Sequence, residues 1–396
     1  MHADLPEPDA AALEHSERLV ALLHERIAAA GGWISFADYM RAALYEPGLG
    51  YYSAGAAKFG AAGDFVTAPE ISPLFSYCLA RQCAEVLESC SGDTVLELGA
   101  CTGRMAADMM EEFARLGDLP ERYYILETSA DLRSRQAQTL QRLPAELRAR
   151  VNWLESLPEK AINGVIVGNE VADALPVQRF LIDRDEVCEL GVASDGSVFT
   201  DMPRPAGEEL TRFVTQLKLD GAEGYCSEYN PDLSGWVASL GDALEKGALL
   251  LLDYGYVRRE YYLPERNTGT LRCYYRHRAH ENPYLWPGLQ DITAWVDFTA
   301  LAQAAESAGL TVSGYTTQAQ FLLAGGLEAI VARAASEHNL ADTRAQAQMA
   351  AGLRTLMLPG EMGDAIKAMI MTRAKVHAPS GFAGRDFRTA LTDERL

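Results

Sequence analysis

Thr94-Val95-Leu96-Glu97-Leu98-Gly99-Ala100-Cys101-Thr102-Gly103-Arg104 constrains this chain more than any other stretch. Its first half is a short apolar run rich in β-formers, which reads as a buried strand. A turn of small residues follows, and Met105 to Met110 can continue as a helix. Strand, glycine turn and helix N-terminus form a corner where backbone N–H groups can approach a ligand and the helix dipole favours an anion. The same corner also serves as plain scaffolding in α/β proteins, so the turn alone leaves both readings open. A dinucleotide fingerprint needs G-x-G-x-x-G. The chain has instead Glu97-x-Gly99-x-Cys101-x-Gly103, with an acid two places before the first glycine.

The surrounding pattern alternates strands and helices. An amphipathic helix is predicted over Leu13 to Ala30, with Leu19, Leu22, Leu23 and Ile27 on one face and Gly31-Gly32 ending it. The glycine-rich loop Phe59 to Ser72 leads into a helix opened by Ser72 or Pro73. Further strands are predicted at Tyr123–Leu126, Val151–Leu154, Gly164–Gly168, Ala248–Leu252, Leu310–Tyr315 and Ile366–Thr372. Helices are predicted at Phe298–Ala308, Phe321–Ala335 and Ala341–Met357, and a small antiparallel excursion between Phe180 and Tyr229 with a helix near Leu210–Leu217. This alternation, with a late hairpin-like strand pair, predicts an α/β fold built on a doubly wound sheet. Such sheets bind ligands beyond the carboxyl ends of their strands. Asn169, Glu170 and Asp173 follow one of those ends. Glu127 lies roughly 20–25 residues past the glycine turn, where nucleotide-binding folds place an acid on the ribose hydroxyls.

A net charge of −20 argues against nucleic acid as a partner, because phosphate backbones require a basic face. It suits a cationic protein or peptide, and solubility alone would also account for it. No apolar run is long enough to cross a bilayer. The seven cysteines are scattered without C-x-x-C pairs, and the acidic N-terminus lacks a signal core, so a reducing cytoplasm is expected. Cys273-x-x-x-His277-x-x-His280 has ligand-type side chains. No fourth ligand is evident nearby and three arginines crowd the loop, so no metal is assigned.

Several motifs together resemble one family. They are Gly63-Asp64-Phe65-x-Thr67-x-Pro69-Glu70-Ile71-Ser72, the Glu97 glycine motif, and Asn169-Glu170-x-x-Asp173-Ala174-Leu175-Pro176-Val177. Beyond them come Asp253-Tyr254-Gly255-Tyr256, Gly269-Thr270-Leu271-x-Cys273-Tyr274, and the run from Pro287 to Phe298. As a set they are similar to the MidA-like S-adenosylmethionine (SAM) methyltransferases of class I, relatives of the mitochondrial complex I assembly factor that dimethylates an arginine. The resemblance spans about Leu19 to Arg373. It implies a seven-stranded Rossmann-like sheet, S-adenosyl-L-methionine as methyl donor, and a protein substrate. It divides the chain into an N-terminal helical cap with a cofactor-covering loop (1–75), a methyltransferase domain (76–375) with insertions near 178–230 and 255–297, and a tail (376–396).

By this resemblance Glu97, Gly99, Ala100, Cys101 and Gly103 line the cofactor pocket, with Asn169 beside them, and Glu127 holds the ribose. Asp64, Thr67, Pro69 and Glu70 close over it from the N-terminal side. The chain departs from the family pattern at Cys101 (for glycine), Thr128 (for a small residue or proline) and Trp295 (for a polar residue). A guanidinium acceptor stays protonated, with a pKa above about 12, so paired carboxylates must hold and orient it. Glu170 and Asp173, with Glu70, are the candidates for that catalytic task. Tyr254, Tyr256 and His277 either shape an acceptor channel or serve packing. Two alternatives to an enzyme of this kind remain: an assembly scaffold that keeps the fold without turnover, and a nicotinamide-dependent oxidoreductase, which the glycine spacing disfavours. A homodimer is compatible with the sequence.

Overall fold

The computed structural model describes residues 5–53, 66–184, 186–219, 222–337 and 343–392. The chain forms two compact units: residues 66–172, 234–257 and 296–396 in one, and 1–65, 173–233 and 258–295 in the other.

The first of these units is built on a large sheet. Its seven principal strands, numbered in chain order, are β1 (Thr94–Leu98), β2 (Arg122–Leu126), β3 (Val151–Leu154), β4 (Ile162–Asn169), β5 (Leu244–Tyr256), β6 (Thr311–Thr317) and β7 (Ile366–Arg373). They lie in the order β6-β7-β5-β4-β1-β2-β3, and the short strand Val296–Asp297 pairs with the end of β5. The pairs from β5 through β4, β1 and β2 to β3 are parallel, whereas β7 runs antiparallel to both neighbours. This is the doubly wound, seven-stranded sheet expected from the sequence.

Strands β1 and β4 are buried almost throughout because helices cover both faces of a parallel sheet. The helix Pro73–Cys90 starts at Ser72, whose hydroxyl accepts the Leu74 N–H, and packs Leu79, Cys83 and Val86 into the core. Gly164 is required by backbone proximity, since a Cβ there would stand 1.8 Å from the Thr94 carbonyl oxygen on β1.

Two expectations need correction, and a third begins outside the described residues. The helix predicted over Phe321–Ala335 is two helices, Gln318–Ala324 and Leu327–Glu337, because Gly325 and Gly326 interrupt it and Gly326 takes φ +91°. The helix expected from Ala341 is described from Thr343 to Met357. The late pair β6–β7 is antiparallel but no hairpin, because helices between Gln318 and Ala365 separate its strands.

The second unit carries the helices Ala10–Ala29 and Phe36–Tyr45. It also holds an antiparallel sheet formed by Trp33–Ile34, Gln178–Asp183, Glu186–Ser194, Phe199–Pro205 and Cys226–Tyr229. Leu19, Leu23, Ile27, Phe36, Tyr39 and Met40 close its core with Val192 and Ile292. The stretch around Cys273, His277 and His280 is a β-hairpin here, with Arg272–Tyr275 paired to Arg278–His280. Its two-residue turn, Arg276–His277, takes φ +46° and +59° and leaves His277 exposed. Cys273 and His280 are cross-strand partners, so His277 stands apart from both at the tip.

Candidate active site

Strand β1 ends at Leu98, and the turn that follows is held by conformation. Gly99, Cys101 and Gly103 all take positive φ (+61°, +48° and +80°), and the Gly103 N–H donates to the Ala100 carbonyl at 2.6 Å. Cys101 therefore occupies a backbone region that glycine enters freely and other residues enter at a cost. Arg104–Leu116 then starts a helix with its first N–H groups facing the turn.

The turn forms one wall of a small cleft. Its lining comprises Thr67, Pro69, Glu70, Glu97, Gly99, Ala100, Cys101 and Asn169 among the residues expected from sequence, joined by Thr102, Arg104 and Met105. The last three had no signal of their own except adjacency to the turn. Gly103, Glu127, Glu170 and Asp173 are not among the residues that line the cleft. Asp64 lies outside the described residues.

Glu97 is fully buried in the middle of β1. Its Oε2 accepts the Tyr123 hydroxyl from β2 at 2.6 Å, and its Oε1 has no hydrogen-bond partner among the described residues. Burial pushes its pKa up to about 7, against the Tyr123 hydrogen bond, which lowers it. Asn169 ends β4 with a similar imbalance: its Nδ2 donates to Glu170 Oε1 at 2.9 Å, and its buried Oδ1 has no hydrogen-bond partner among the described residues. Two buried acceptors with vacant lone pairs thus belong to the same cleft. A desolvated acceptor without a donor is costly, so such a pair suits a cationic N–H donor such as an amino acid's ammonium group. The residues present fit a SAM molecule on this count. The Cys101 side chain does not contradict it: desolvation first, then the carboxylates of Glu170, Glu97, Glu127 and Glu70, raise its pKa well above the ordinary value and keep it a neutral thiol.

Two carboxylates tie the cleft's rim. The helix turn Ala68–Ile71 has its Ala68 N–H bonded to Glu170 Oε1 at 3.1 Å, and Glu70 accepts the Thr102 hydroxyl through Oε1. Glu170 itself takes φ +53°. That strained bend is held by Asp253 at the end of β5, whose Oδ2 accepts the N–H groups of Val171 at 3.0 Å and Ala172 at 2.7 Å. The Asp253-Tyr254-Gly255-Tyr256 motif thereby acquires a physical task in shaping the loop after β4. Glu127, half-buried past β2, accepts the Ser129 N–H at 2.8 Å and Gln136 Nε2 at 3.1 Å. Asp173 starts the chain's return into the other unit, where it is buried and its carbonyl accepts the Ala294 N–H at 2.9 Å.

A mostly parallel sheet of this strand order, with a glutamate near the end of the strand that leads into a tight glycine turn, is the architecture of a class I SAM-dependent methyltransferase. Residues 78–316 match the family described as "Putative S-adenosyl-L-methionine-dependent methyltransferase". A crystal structure from Burkholderia thailandensis bound to S-adenosyl-homocysteine is 42% identical, with a TM-score of 0.93 over 98% of this chain and 100% of that one. The mitochondrial protein arginine methyltransferase NDUFAF7 of Homo sapiens is 27% identical over 84% of this chain and 78% of its own length. Its Drosophila melanogaster homologue, also named as mitochondrial, is 28% identical over 92% of this chain and 87% of its own. The chain belongs to this MidA-like family of SAM-dependent methyltransferases. It is an enzyme whose cofactor is S-adenosyl-L-methionine, and neither the scaffold nor the oxidoreductase reading is favoured.

The cytoplasmic location expected from the sequence is overturned, because these curated relatives are mitochondrial proteins. The physical reason is that free thiols report a redox state that several compartments share. All seven cysteines are free. Among the described residues, no helix is long and apolar enough to cross a membrane.

Proposed function

We propose that this chain transfers the SAM methyl group to an arginine side chain of a protein. The observation that carries the proposal is electrostatic. Four carboxylates, those of Glu70, Glu97, Glu127 and Glu170, act on the Cys101 side chain, and among the described residues Arg104 is the one cationic side chain in the cleft's lining. A cationic cofactor and a guanidinium acceptor both favour such a field. The names of the NDUFAF7 relatives support the same acceptor.

SAM, when bound, supplies an electrophilic methyl group, so the protein needs no nucleophile of its own. What remains is positioning and the handling of a proton. In this reading Glu97 and Asn169 receive the methionine ammonium on their vacant oxygens, and the turn of Gly99, Ala100, Cys101 and Gly103 lets backbone approach the same end. Glu127 takes the ribose hydroxyls, while Thr67 and Pro69 cover the cofactor. Glu170, Asp173 and Glu70 hold the guanidinium as a fork, aim one nitrogen, and provide the carboxylate to which its proton is lost. For Asp173 the role rests on its spacing from Glu170 in the sequence.

The test is methyl transfer from labelled SAM into a lysate, followed by acid hydrolysis and amino-acid analysis. Label in methylarginine is expected; label solely in other species overturns the acceptor. Glu170→Gln and Asp173→Asn should each lower transfer by at least tenfold while S-adenosyl-homocysteine still binds. Wild-type rates in both would remove these residues from the mechanism.

A further inference from the structure

We infer that Gln136 is a positioning residue that sets the glycine turn and the ribose-facing carboxylate in register with one another. The inference rests on the reading of Glu127 proposed above. Gln136 belongs to no motif and sits within the helix Ala130–Leu140, yet its side chain is completely buried. Every polar atom of its amide is used. Trp153 Nε1 on β3 donates to Oε1 at 2.8 Å, while Nε2 donates to the Cys101 carbonyl at 3.2 Å and to Glu127 Oε2 at 3.1 Å.

The orientation of that amide is forced. An indole N–H can only donate, so the glutamine oxygen must face it, and the two amide protons must then face the turn and the carboxylate. The backbone packs as closely as the side chain bonds: a Cβ on Gly103 would lie 3.0 Å from Gln136 Cα. One side chain therefore spans the strained Cys101 carbonyl and an acid more than twenty residues further along the chain. An apolar residue of equal size would fill the space but leave a carbonyl, a carboxylate oxygen and an indole N–H unpaired, which is the expensive outcome. Ser129 N–H takes Glu127 Oε1. With one donor on each oxygen, the carboxylate is fixed in rotation and still keeps acceptor capacity for a diol.

The experiment compares S-adenosyl-homocysteine with its 2′-deoxyribose analogue by calorimetry on the full chain. The wild type should prefer the hydroxylated compound by about tenfold. Gln136→Met keeps the volume and removes the hydrogen bonds. It should weaken S-adenosyl-homocysteine about tenfold and reduce the preference to about twofold or less. Trp153→Phe leaves Gln136 in place but releases its oxygen, and should lower the preference about threefold. Glu127→Gln should abolish it. If Glu127→Gln abolishes the preference and the Gln136 and Trp153 variants keep it in full, this inference fails while the ribose assignment stands. If Glu127→Gln also keeps it, the ribose assignment fails and takes this inference with it. Should Gln136→Met not fold, an unchanged preference in Trp153→Phe overturns the inference by itself.

Discussion

Each unit seals a glutamate from solvent beside one of its motifs, Glu228 in one and Glu97 in the other, and the two are treated in opposite ways. Glu228 accepts the Thr270 N–H at 2.9 Å, the Thr270 hydroxyl at 3.1 Å and the Tyr261 hydroxyl at 3.3 Å on Oε2, and the Leu271 N–H at 3.3 Å on Oε1. Glu97 has the Tyr123 hydroxyl on one oxygen and nothing among the described residues on the other. Burial raises the pKa of both. The difference is what the protein does about it. Around Glu228 the motif Gly269-Thr270-Leu271 wraps the carboxylate completely, and Gly269 must lack a side chain because a Cβ would meet Oε1 at 2.1 Å. Around Glu97 one acceptor is left for a ligand. A buried acid whose bonds are complete is scaffold, whereas a buried acid with a vacant oxygen on a cleft marks where a ligand belongs.

The comparison can be broken at several points. Glu228→Ala should be the most damaging, since it strands two backbone N–H groups and two hydroxyls; a loss of about 3 kcal/mol in denaturant unfolding is expected. A loss below about 1 kcal/mol would mean that the wrapped carboxylate is not a structural hub. Gly269→Ala should follow at about 2 kcal/mol, because its φ of +77° disfavours a side chain and the new methyl group collides with Glu228.

Glu97→Gln is predicted to behave in the reverse sense. Unfolding of the ligand-free protein should be unchanged or more difficult, while S-adenosyl-homocysteine affinity falls about tenfold, or 1.4 kcal/mol. A destabilised variant with intact affinity would make Glu97 a second Glu228. The smallest effect is that of pH. With the folded pKa of Glu97 raised to about 7 from an ordinary 4.5, its protonated form favours the fold. Its contribution to ligand-free stability is complete below about 4.5 and is lost as pH rises through 7. Ligand affinity should run the other way, rising severalfold between about pH 6 and 8 as the ammonium's partner ionises, and Glu97→Gln should flatten that profile. A wild-type titration that is already flat would contradict the shifted acid.

Much of the fold was legible because its signals are local. The apolar runs at Val95, Val165 and Ala248 gave strands of the parallel core, and the Glu97-to-Gly103 spacing located the turn on which the cleft is built. The break at Gly325-Gly326 could have been read from the doubled glycine. Other features had no local signal. Gln136 and Trp153 look like an ordinary polar helix residue and an ordinary strand aromatic, and only the packing of the helix and β3 beside the turn brings them to Cys101 and Glu127. The placement of Cys273, His277 and His280 was equally hidden, because the hairpin that pairs Cys273 with His280 and sets His277 apart at its tip is a matter of strand pairing.

What the sequence determined alone was the class of sheet, the position of its glycine turn and the acids that follow the strand ends. Those follow from the period of apolar residues and from where glycine is needed, and both are properties of neighbours along the chain. Tertiary structure decided which of those acids is satisfied. The hydroxyl that reaches Glu97 comes from the next strand, the N–H groups that bend Glu170 into place are held by Asp253 on another, and a vacancy at Oε1 exists only once every other donor has been assigned elsewhere. Hydrogen-bond balance is a sum over contacts distant in sequence, so it cannot be read until the strands are side by side.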